Sequence, residues 1–354
     1  MRGLQATQPV AAGEDILSIT FHRCLSIVSA MHRTKDWQRA VIGWRRLPDA
    51  DMYLDVLALL YETVVKGNNS EWAPYLRTLP QEYDLPVNYS AAVHEQVLSA
   101  LPGLHELANK RISSLHHFYP LMFKALQALP GGKEGLHRLG SSARWPLFLW
   151  AYSATKTRTV TLDVADSGVK VPGDWVHEIG VMVPLLDMTN HGVGGQVNAR
   201  VEGTSAAFKL IATRAIQAHQ QVRFSYNPSD EETANCNDRW LLEYGFTIDD
   251  DSPERSCYRL QLSSGDVAAA LAHLAVASSP PSASQAGSEP SADACTLASR
   301  ARIRSRLDKA RLPEEMSSVI TAATVSPPHE LWHWLQVAVG GSEACIGEWT
   351  STYR

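Results

Sequence analysis

Polar and aromatic side chains follow apolar segments at three places in the sequence. Residues 187–191 read D-M-T-N-H, residues 224–226 read F-S-Y, and residues 237–246 read N-D-R-W-L-L-E-Y-G-F. A carboxylate, an amide, an imidazole and phenols can hydrogen-bond a polar ligand, and aromatic rings attract a cation. Singly, each pattern is weak, because the first is typical of a capped loop and the second of a tyrosine packed in a core. Their order along the chain is the specific feature.

A fourth pattern would support different chemistry. Residues 329–333 read H-E-L-W-H, and H-E-x-x-H on a helix presents two zinc ligands and a general base. Glu343 and Glu348 are possible third ligands in the short segment that follows, which lacks the histidine that extends this motif in metzincins. The neighbouring Trp332 and Trp334 favour a packed amphipathic helix instead. We therefore expect no bound metal, and a zinc peptidase is kept as a remote alternative.

The elements that must position these residues can be read from hydrophobic periodicity. The β-like runs lie at 180–186, 207–212 and 222–226. The segments with helical apolar spacing lie at 51–66, 90–127 and 142–154. A hairpin with its turn at Gly13 is predicted near the start of the chain. The sequence thus predicts a domain of mixed α and β structure, with the candidate residues at strand ends.

Composition narrows the function further. The net charge of −5 and pI near 6.2 argue against nucleic acid as the main partner, since phosphate binding needs a basic face. Five scattered cysteines, an odd number without metal-ligand spacing, favour reduced thiols. No apolar run approaches the ~18 residues that span a bilayer, and the N-terminus lacks the apolar region of a signal peptide. We expect an intracellular monomer without a membrane partner, in the cytoplasm, nucleus or chloroplast.

Read together, the three segments resemble the C-terminal half of a SET domain, a protein methyltransferase fold. The resemblance is to the branch typified by the Rubisco large-subunit lysine methyltransferase. Two further segments match that branch: R-G-L-Q-A-T at residues 2–7 and W-A-P-Y-L-R-T-L-P at residues 72–80. The resemblance covers residues 2–250 almost throughout and is thin after residue 255.

The resemblance implies an α+β fold in two parts. Residues 1–250 would form a split SET domain, with small β-sheets, a threaded C-terminal segment and a helical insert at about 30–150. Residues 251–354 would form a short helical domain, a reduced form of the family's substrate-binding domain. Within it we expect a flexible linker at residues 277–295, rich in Ser, Ala and Pro, and a basic helix at 297–312.

The resemblance also implies an activity. Enzymes of this branch transfer the methyl group of S-adenosylmethionine to a protein side chain without a metal. A lysine nucleophile must be neutral, which at pH 7.4 costs ~4 kcal/mol from its reference pKa, and these enzymes provide a narrow, apolar, tyrosine-lined channel. We therefore expect a protein-lysine N-methyltransferase that acts on a protein substrate. The alternatives are a histidine-directed methyltransferase and a catalytically silent SET-like binding module.

The matching positions give the expected site residues. Tyr226 would be the catalytic residue, because its phenol oxygen can orient the amine and accept CH···O contacts from the methyl group. Arg158 would pair with the cofactor's carboxylate, which a guanidinium matches bidentately. The expected cofactor contacts are Gly3, Leu4, Arg158, Asp187, Asn190, His191, Tyr226 and Phe246. The expected substrate contacts are Ala199, Tyr244 and Phe246.

Three departures from the branch carry expectations of their own. Ala199 stands where the Rubisco enzyme has a second tyrosine that helps orient the lysine. Relatives without that tyrosine include a histidine methyltransferase, so the target residue stays open. His219 and Gln220 replace a Gly-Glu turn, and we expect a different local backbone there. Met1 falls inside a motif that a Gly-x-Gly-type turn precedes in the branch, so we expect the upstream part to be missing.

Overall fold

The computed structural model describes residues 3–31, 36–47, 50–98, 101–168, 176–226, 236–248, 257–263 and 315–321. The described residues fall into two compact units. The first unit holds those up to Tyr226 together with 238–247, and the second holds Cys236, Asn237, Ile248 and two later strands. Helices in the described part are too short or too polar to cross a membrane.

The helices are concentrated in the first half of the chain. They are α1 (Ile27–Met31), α2 (Asp36–Val41), α3 (Leu54–Leu60), α4 (Ala73–Leu76), α5 (Ala91–Val93), α6 (Pro102–Ala128), α7 (Gly132–Leu139), α8 (Arg144–Arg158), α9 (Val164–Ser167) and α10 (Asn237–Tyr244). Two π-helical segments, Tyr61–Lys66 and His94–Leu98, extend α3 and α5. Every residue of α3 is buried, because the helix is apolar on nearly all sides.

The strands form small sheets. They are β1 (Asp15–Thr20), β2 (Thr159–Asp163), β3 (Glu178–Met182), β4 (Asn190–His191), β5 (Ala199–Gly203), β6 (Ala207–Ala212), β7 (Arg223–Phe224), β8 (Cys257–Ser263) and β9 (Glu315–Thr321). A three-stranded antiparallel sheet has the order β1-β6-β5, and β2 pairs antiparallel with β3. The short β4 and β7 pair in parallel, Asn190 with Arg223 and His191 with Phe224. This pairing brings two of the sequence motifs together.

The end of α8 is set by threonines. Thr157 Oγ1 donates to Ser153 O at 2.8 Å and Thr159 Oγ1 donates to Thr155 O at 2.9 Å. Such bonds compete with the helical ladder and suit a helix that is about to end. The helix therefore ends at Arg158 and the chain passes directly into β2. A cation in this last turn is also favoured by the helix dipole.

The turn at His219 keeps a left-handed backbone although it lacks glycine. His219 has a φ of 65°, and its N–H donates to Ala6 O at 2.7 Å. The turn at this position is thus made at the cost of a conformation that non-glycine residues rarely adopt. The long-range bond to Ala6, between the start of the chain and the approach to β7, holds it.

Several sequence predictions fall outside the described residues. They concern Arg2, the linker 277–295, the basic helix 297–312 and the H-E-x-x-H segment 329–333. The described residues beyond 256 are the paired strands β8 and β9, in a part for which the sequence predicts helices.

The sequence predicts reduced thiols, and two of the cysteines differ in this respect. Cys24 is a buried free thiol, whereas Cys236 is disulfide-bonded. An odd number of cysteines without metal spacing does not exclude one pair, which is where the reasoning from the count failed.

Candidate active site

A cleft of about 240 Å³ opens where four parts of the first unit meet. It is lined by residues between Thr78 and Asp84, by the last turn of α8, by the segment 187–190, and by aromatic side chains from the C-terminal motifs. Six residues predicted from the sequence line it: Arg158, Asp187, Asn190, Tyr226, Tyr244 and Phe246. The structure therefore brings together residues that are spread over nearly 90 positions of the chain.

The loop that forms one wall of the cleft is tied to α8. Trp150 Nε1 donates to Pro80 O at 2.8 Å, and Asn88 Nδ2 donates to both Tyr83 O and Ser153 Oγ at 2.9 Å. On its other side the loop meets Gly245, where a Cβ would lie 2.2 Å from Asp84 O. The glycine of the Y-G-F motif is required by this close approach and by its φ of 78°.

The centre of the cleft is a buried ion pair. Arg158 Nη1 lies 3.1 Å from Asp187 Oδ2, and the Asp187 side chain is 0% exposed. Tyr75 Oη donates to the same carboxylate oxygen at 2.8 Å. Burial raises the pKa of Asp187, while Arg158 and Tyr75 oppose that shift. Burial lowers the pKa of Arg158, but Asp187 and Tyr83 outweigh it, so the guanidinium remains charged.

A strained residue precedes this aspartate. Leu185 has a φ of 71° and a ψ of −46°, a conformation that costs a non-glycine residue ~1–3 kcal/mol. It leads into the single 3-10 turn Leu186–Met188, in which the Asp187 N–H donates to Val183 O at 3.0 Å. The strain thus accompanies the turn that carries the Asp187 carboxylate inward toward Arg158.

Three buried polar atoms around the cleft make no hydrogen bond within the described residues. They are Arg158 Nε, Asp187 Oδ1 and Asn190 Nδ2. An unsatisfied buried polar group costs about 1–3 kcal/mol, so native proteins rarely leave several side by side. These atoms are two donors and one acceptor. They can be satisfied by a ligand that carries both kinds of group.

Tyr226 is held at both ends. Its backbone N–H donates to His191 Nδ1 at 3.1 Å, and its Oη donates to Thr189 O at 2.7 Å. Burial, with a contribution from Tyr244, raises the pKa of Tyr226 to about 12. The phenol therefore keeps its proton at neutral pH and commits it to Thr189. What the oxygen can offer to the cleft is its acceptor capacity.

Aromatic rings surround this phenol. Tyr244 lies 5.2 Å and Phe224 5.0 Å from Tyr226 between ring centroids, and Phe246 lies 6.0 Å from Tyr244. The ring of the buried Trp240 lies 4.4 Å from that of His191 and 5.1 Å from that of Tyr244, between centroids. An aromatic wall of this kind attracts a positively charged group and excludes water.

The other predicted site residues lie around the cleft and do not line it. His191 uses Nδ1 to hold Tyr226, so its side chain positions the tyrosine. Gly3 approaches Asn190 so closely that a Cβ would lie 2.5 Å from Asn190 Nδ2. Leu4 O accepts a hydrogen bond from the Val222 N–H at 2.9 Å and so joins the first segment to β7.

Ala199, predicted to contact the substrate, lies away from the lining of the cleft. It is 1% exposed in β5, opposite Ala212, and does not line the cleft. The neighbouring Asn198 side chain accepts from the Arg223 N–H at 2.8 Å and donates to Gln221 O at 2.9 Å. Position 198 thus braces β7, and direct contact between Ala199 and a target residue is a prediction that its placement does not support.

Sequence reasoning missed three residues of the site. Tyr75 and Tyr83 lie in and just after the W-A-P-Y-L motif, and Trp240 lies in the N-D-R-W segment, but the sequence pattern indicates no role for these three side chains. No cluster of metal-binding side chains occurs among the described residues. The site as described therefore consists of an ion pair, three tyrosines and an aromatic wall.

Comparison with known proteins gives relatives of one kind. No family model matches the chain. It is 25% identical over 249 residues to SET domain-containing protein 4 of Homo sapiens, which covers 69% of this chain and 52% of that protein. It is 26% identical over 269 residues to the actin-histidine N-methyltransferase of Mus musculus, over 75% of this chain and 41% of that protein. The chain spans about half the length of the curated relatives it matches.

Solved structures agree with the motifs. The SET domain of LSMT bound to lysine and AdoHcy superimposes with a TM-score of 0.62 at 18% identity, over 97% of this chain and 65% of that one. Rubisco LSMT bound to AdoMet gives a TM-score of 0.57 at 17% identity, with the same coverage. The predicted α+β fold is confirmed: the chain has the SET-domain fold, and it is similar to proteins of the Rubisco large-subunit methyltransferase-like branch.

Proposed function

We propose that this chain is an S-adenosylmethionine-dependent protein methyltransferase. The observation that carries the proposal is that one cleft combines a guanidinium whose buried Nε has no partner among the described residues with an oriented phenol inside an aromatic wall. Relatives of the chain are named as protein methyltransferases, and solved neighbours were crystallised with AdoMet or AdoHcy. The cleft supplies groups suited to each part of such a ligand.

Arg158 and Asp187 fit the amino-acid end of the cofactor. Asp187 occupies only Nη1 of the guanidinium, and Nε is buried without a partner among the described residues. That edge can receive a carboxylate, a charge-assisted contact that guanidinium geometry favours. Asp187 Oδ1, also without a partner there, can accept from an ammonium. The pair thus offers opposite charges to a zwitterion, and Asn190 and Tyr83 offer further polar atoms.

When bound, the cofactor would supply an electrophilic methyl group on a sulfonium. The protein's task is to align a neutral nucleophile with it and to keep water away. Tyr226 can align the nucleophile, because its phenol proton is donated to Thr189 O and its oxygen can still accept a hydrogen bond. The rings of Tyr244 and Phe246 complete a wall that attracts the positive charge.

We propose lysine as the target residue. Burial raises the pKa of three tyrosines of the cleft, Tyr83, Tyr226 and Tyr244, and a desolvated site of this kind favours a neutral amine. Histidine is the second candidate, since the chain is 26% identical to an actin-histidine N-methyltransferase and has Ala199 in place of a tyrosine. A neutral imidazole is already the main form at pH 7.4.

The domain assignment belongs to the same proposal. Residues 1–250 would carry catalysis and residues 251–354 would contribute to substrate binding as a reduced form of the family's helical domain. The protein substrate, a monomeric state and an intracellular location are proposed with it. A partner made of nucleic acid is not expected, given the net charge of −5.

The test combines binding with turnover. Titration calorimetry of S-adenosylmethionine, followed by mass spectrometry of protein extract incubated with a labelled methyl donor, should show saturable binding and labelled lysine. Binding without labelled product would support the silent binding module, and labelled histidine would select the second candidate. No binding at millimolar cofactor would refute the proposal.

A further inference from the structure

A second, smaller cleft lies beside the same end of α8 but is lined by different residues. Its volume is about 110 Å³, and it is formed by the start of α3, by Tyr152, Thr155 and Lys156 of α8, and by the strands β2 and β3. Such a volume has room for several water molecules or for one small polar group. None of its lining residues belongs to the cleft described above.

The floor of this cleft is a buried carboxylate. Asp55 is 7% exposed on the otherwise apolar helix α3. Its Oδ2 accepts from the Gly180 N–H at 3.0 Å, whereas its buried Oδ1 has no hydrogen-bond partner among the described residues. A Cβ at Gly180 would lie 2.2 Å from Oδ2. The glycine in β3 is therefore what allows the strand to meet the carboxylate.

The charges around Asp55 favour a cation. Asp51 and Glu178 also line the cleft, and the charge of Asp51 adds to the effect of burial in raising the pKa of Asp55. Among the described residues of the lining, Lys156 is the cationic side chain, and its Nζ is held 2.7 Å from Glu243 Oε2. An anion would meet the carboxylates of Asp51 and Glu178 beside the buried carboxyl group of Asp55. A cation would relieve both the like-charge repulsion and the unsatisfied Asp55 oxygen.

We propose that this cleft binds the guanidinium or ammonium end of an arginine or lysine side chain from a protein partner. The head group would reach Asp55 Oδ1, with Asp51 and Glu178 nearer the rim. The methylene stem would pack on Met52, which is 40% exposed, and beside Thr161. The identification of this partner as the methylated protein rests on the proposed function. The binding of a cationic side chain by the cleft does not depend on it.

The experiment uses the full chain and a ligand pair that differs only in charge. N-acetyl-arginine amide and its neutral isostere N-acetyl-citrulline amide are titrated while the amide resonances of Gly180 and Thr161 are followed by NMR. Saturable shifts with arginine, and at least tenfold weaker ones with citrulline, are expected. Equal responses to both ligands would overturn the proposal.

Variants locate the binding. Asp55→Asn keeps an acceptor for the Gly180 N–H but places an amide where the free oxygen was, and it should weaken arginine binding at least tenfold. Glu178→Gln, at an exposed position, should weaken it about two- to fivefold and serves where Asp55→Asn proves unstable. Glu134→Gln, an equal loss of charge on the exposed face of α7, should leave it unchanged. Arginine binding unaltered by both cleft substitutions would refute the site.

The two proposals fail separately. S-adenosylmethionine is titrated into the same samples. Cofactor binding without arginine binding removes only the second cleft, and arginine binding without cofactor binding removes only the methyltransferase function.

Discussion

Replacement of Tyr226 by Phe tests the centre of the proposed mechanism. The substitution removes the hydroxyl group that donates to Thr189 O at 2.7 Å and leaves the ring packed against its aromatic neighbours. Loss of one positioned hydrogen-bonding group in a desolvated site lowers a rate by roughly one to three decades, or ~1.4–4 kcal/mol of activation free energy. The cofactor's polar contacts are assigned to Arg158, Asp187 and Asn190. Its affinity should therefore change by no more than about threefold.

The same change also removes a hydrogen bond that supports the fold. One such bond contributes about 0.5–1.5 kcal/mol to the free energy of unfolding. Tyr61→Phe is the matched control, since Tyr61 Oη donates to a carbonyl, Pro130 O, at 3.3 Å and does not line the cleft. It should cost similar stability and leave the rate unchanged. Tyr244→Phe gives a second comparison, because it removes the hydroxyl group of a neighbouring tyrosine whose ring centroid lies 5.2 Å from that of Tyr226.

The assay is single-turnover methyl transfer with labelled cofactor, read by mass spectrometry, with cofactor affinity measured by calorimetry on each variant. A rate for Tyr226→Phe equal to that of wild type would remove Tyr226 from the catalytic role. A rate loss of the same size in Tyr61→Phe would show that stability, and not the lost oxygen, is responsible.

Three further predictions concern the ion pair, the target residue and the second cleft. Arg158→Ala should weaken cofactor binding by about 2–3 kcal/mol in calorimetry. It should also lower the melting temperature, because it leaves the buried Asp187 without its positively charged partner. Unchanged cofactor affinity would show that Arg158 supports the fold and does not bind the cofactor. With a lysine target, kcat/KM should rise with pH toward the amine pKa near 10.4, whereas with a histidine target kcat/KM should level off above pH ~6.5. Tyr226, whose pKa is about 12, stays protonated over this range. Gly180→Ala should cost ~1–3 kcal/mol in urea unfolding, since its Cβ would meet Asp55 Oδ2, and unaltered stability would contradict the packing.

The sequence identified the site residues that follow strands or end a helix. Asp187, Asn190 and Tyr226 stand at recognisable places in the apolar pattern, and the cleft contains them. Tyr75 could not be found in that way, because its partner Asp187 is 112 positions away and Tyr75 sits in a short helix with no pattern of its own. Hydrogen bonds between distant segments depend on how the insert packs, which periodicity does not encode.

The glycines also show that contacts between distant segments cannot be predicted from the sequence pattern. Gly245 could be predicted to matter as part of Y-G-F, but its reason, the approach to Asp84 O, is visible only in three dimensions. Gly180 lies inside a strand where the sequence indicated nothing special, yet it makes room for the Asp55 carboxylate. Conversely, the missing glycine at His219 predicted a changed backbone, and the chain keeps a positive φ there.

The last turn of α8 links the two clefts through one physical device. Lys156 and Arg158 face different sides of the helix end, and each is held by a carboxylate from a later part of the chain, Glu243 and Asp187. The helix dipole favours both cations at this end, so the pairs combine two favourable effects. Through Glu243 the helix fixes α10, which carries Tyr244, and through Asp187 it fixes the turn before Asn190. A single helix terminus thus sets the distance between the ion pair and the aromatic wall, the spacing on which the proposed chemistry depends.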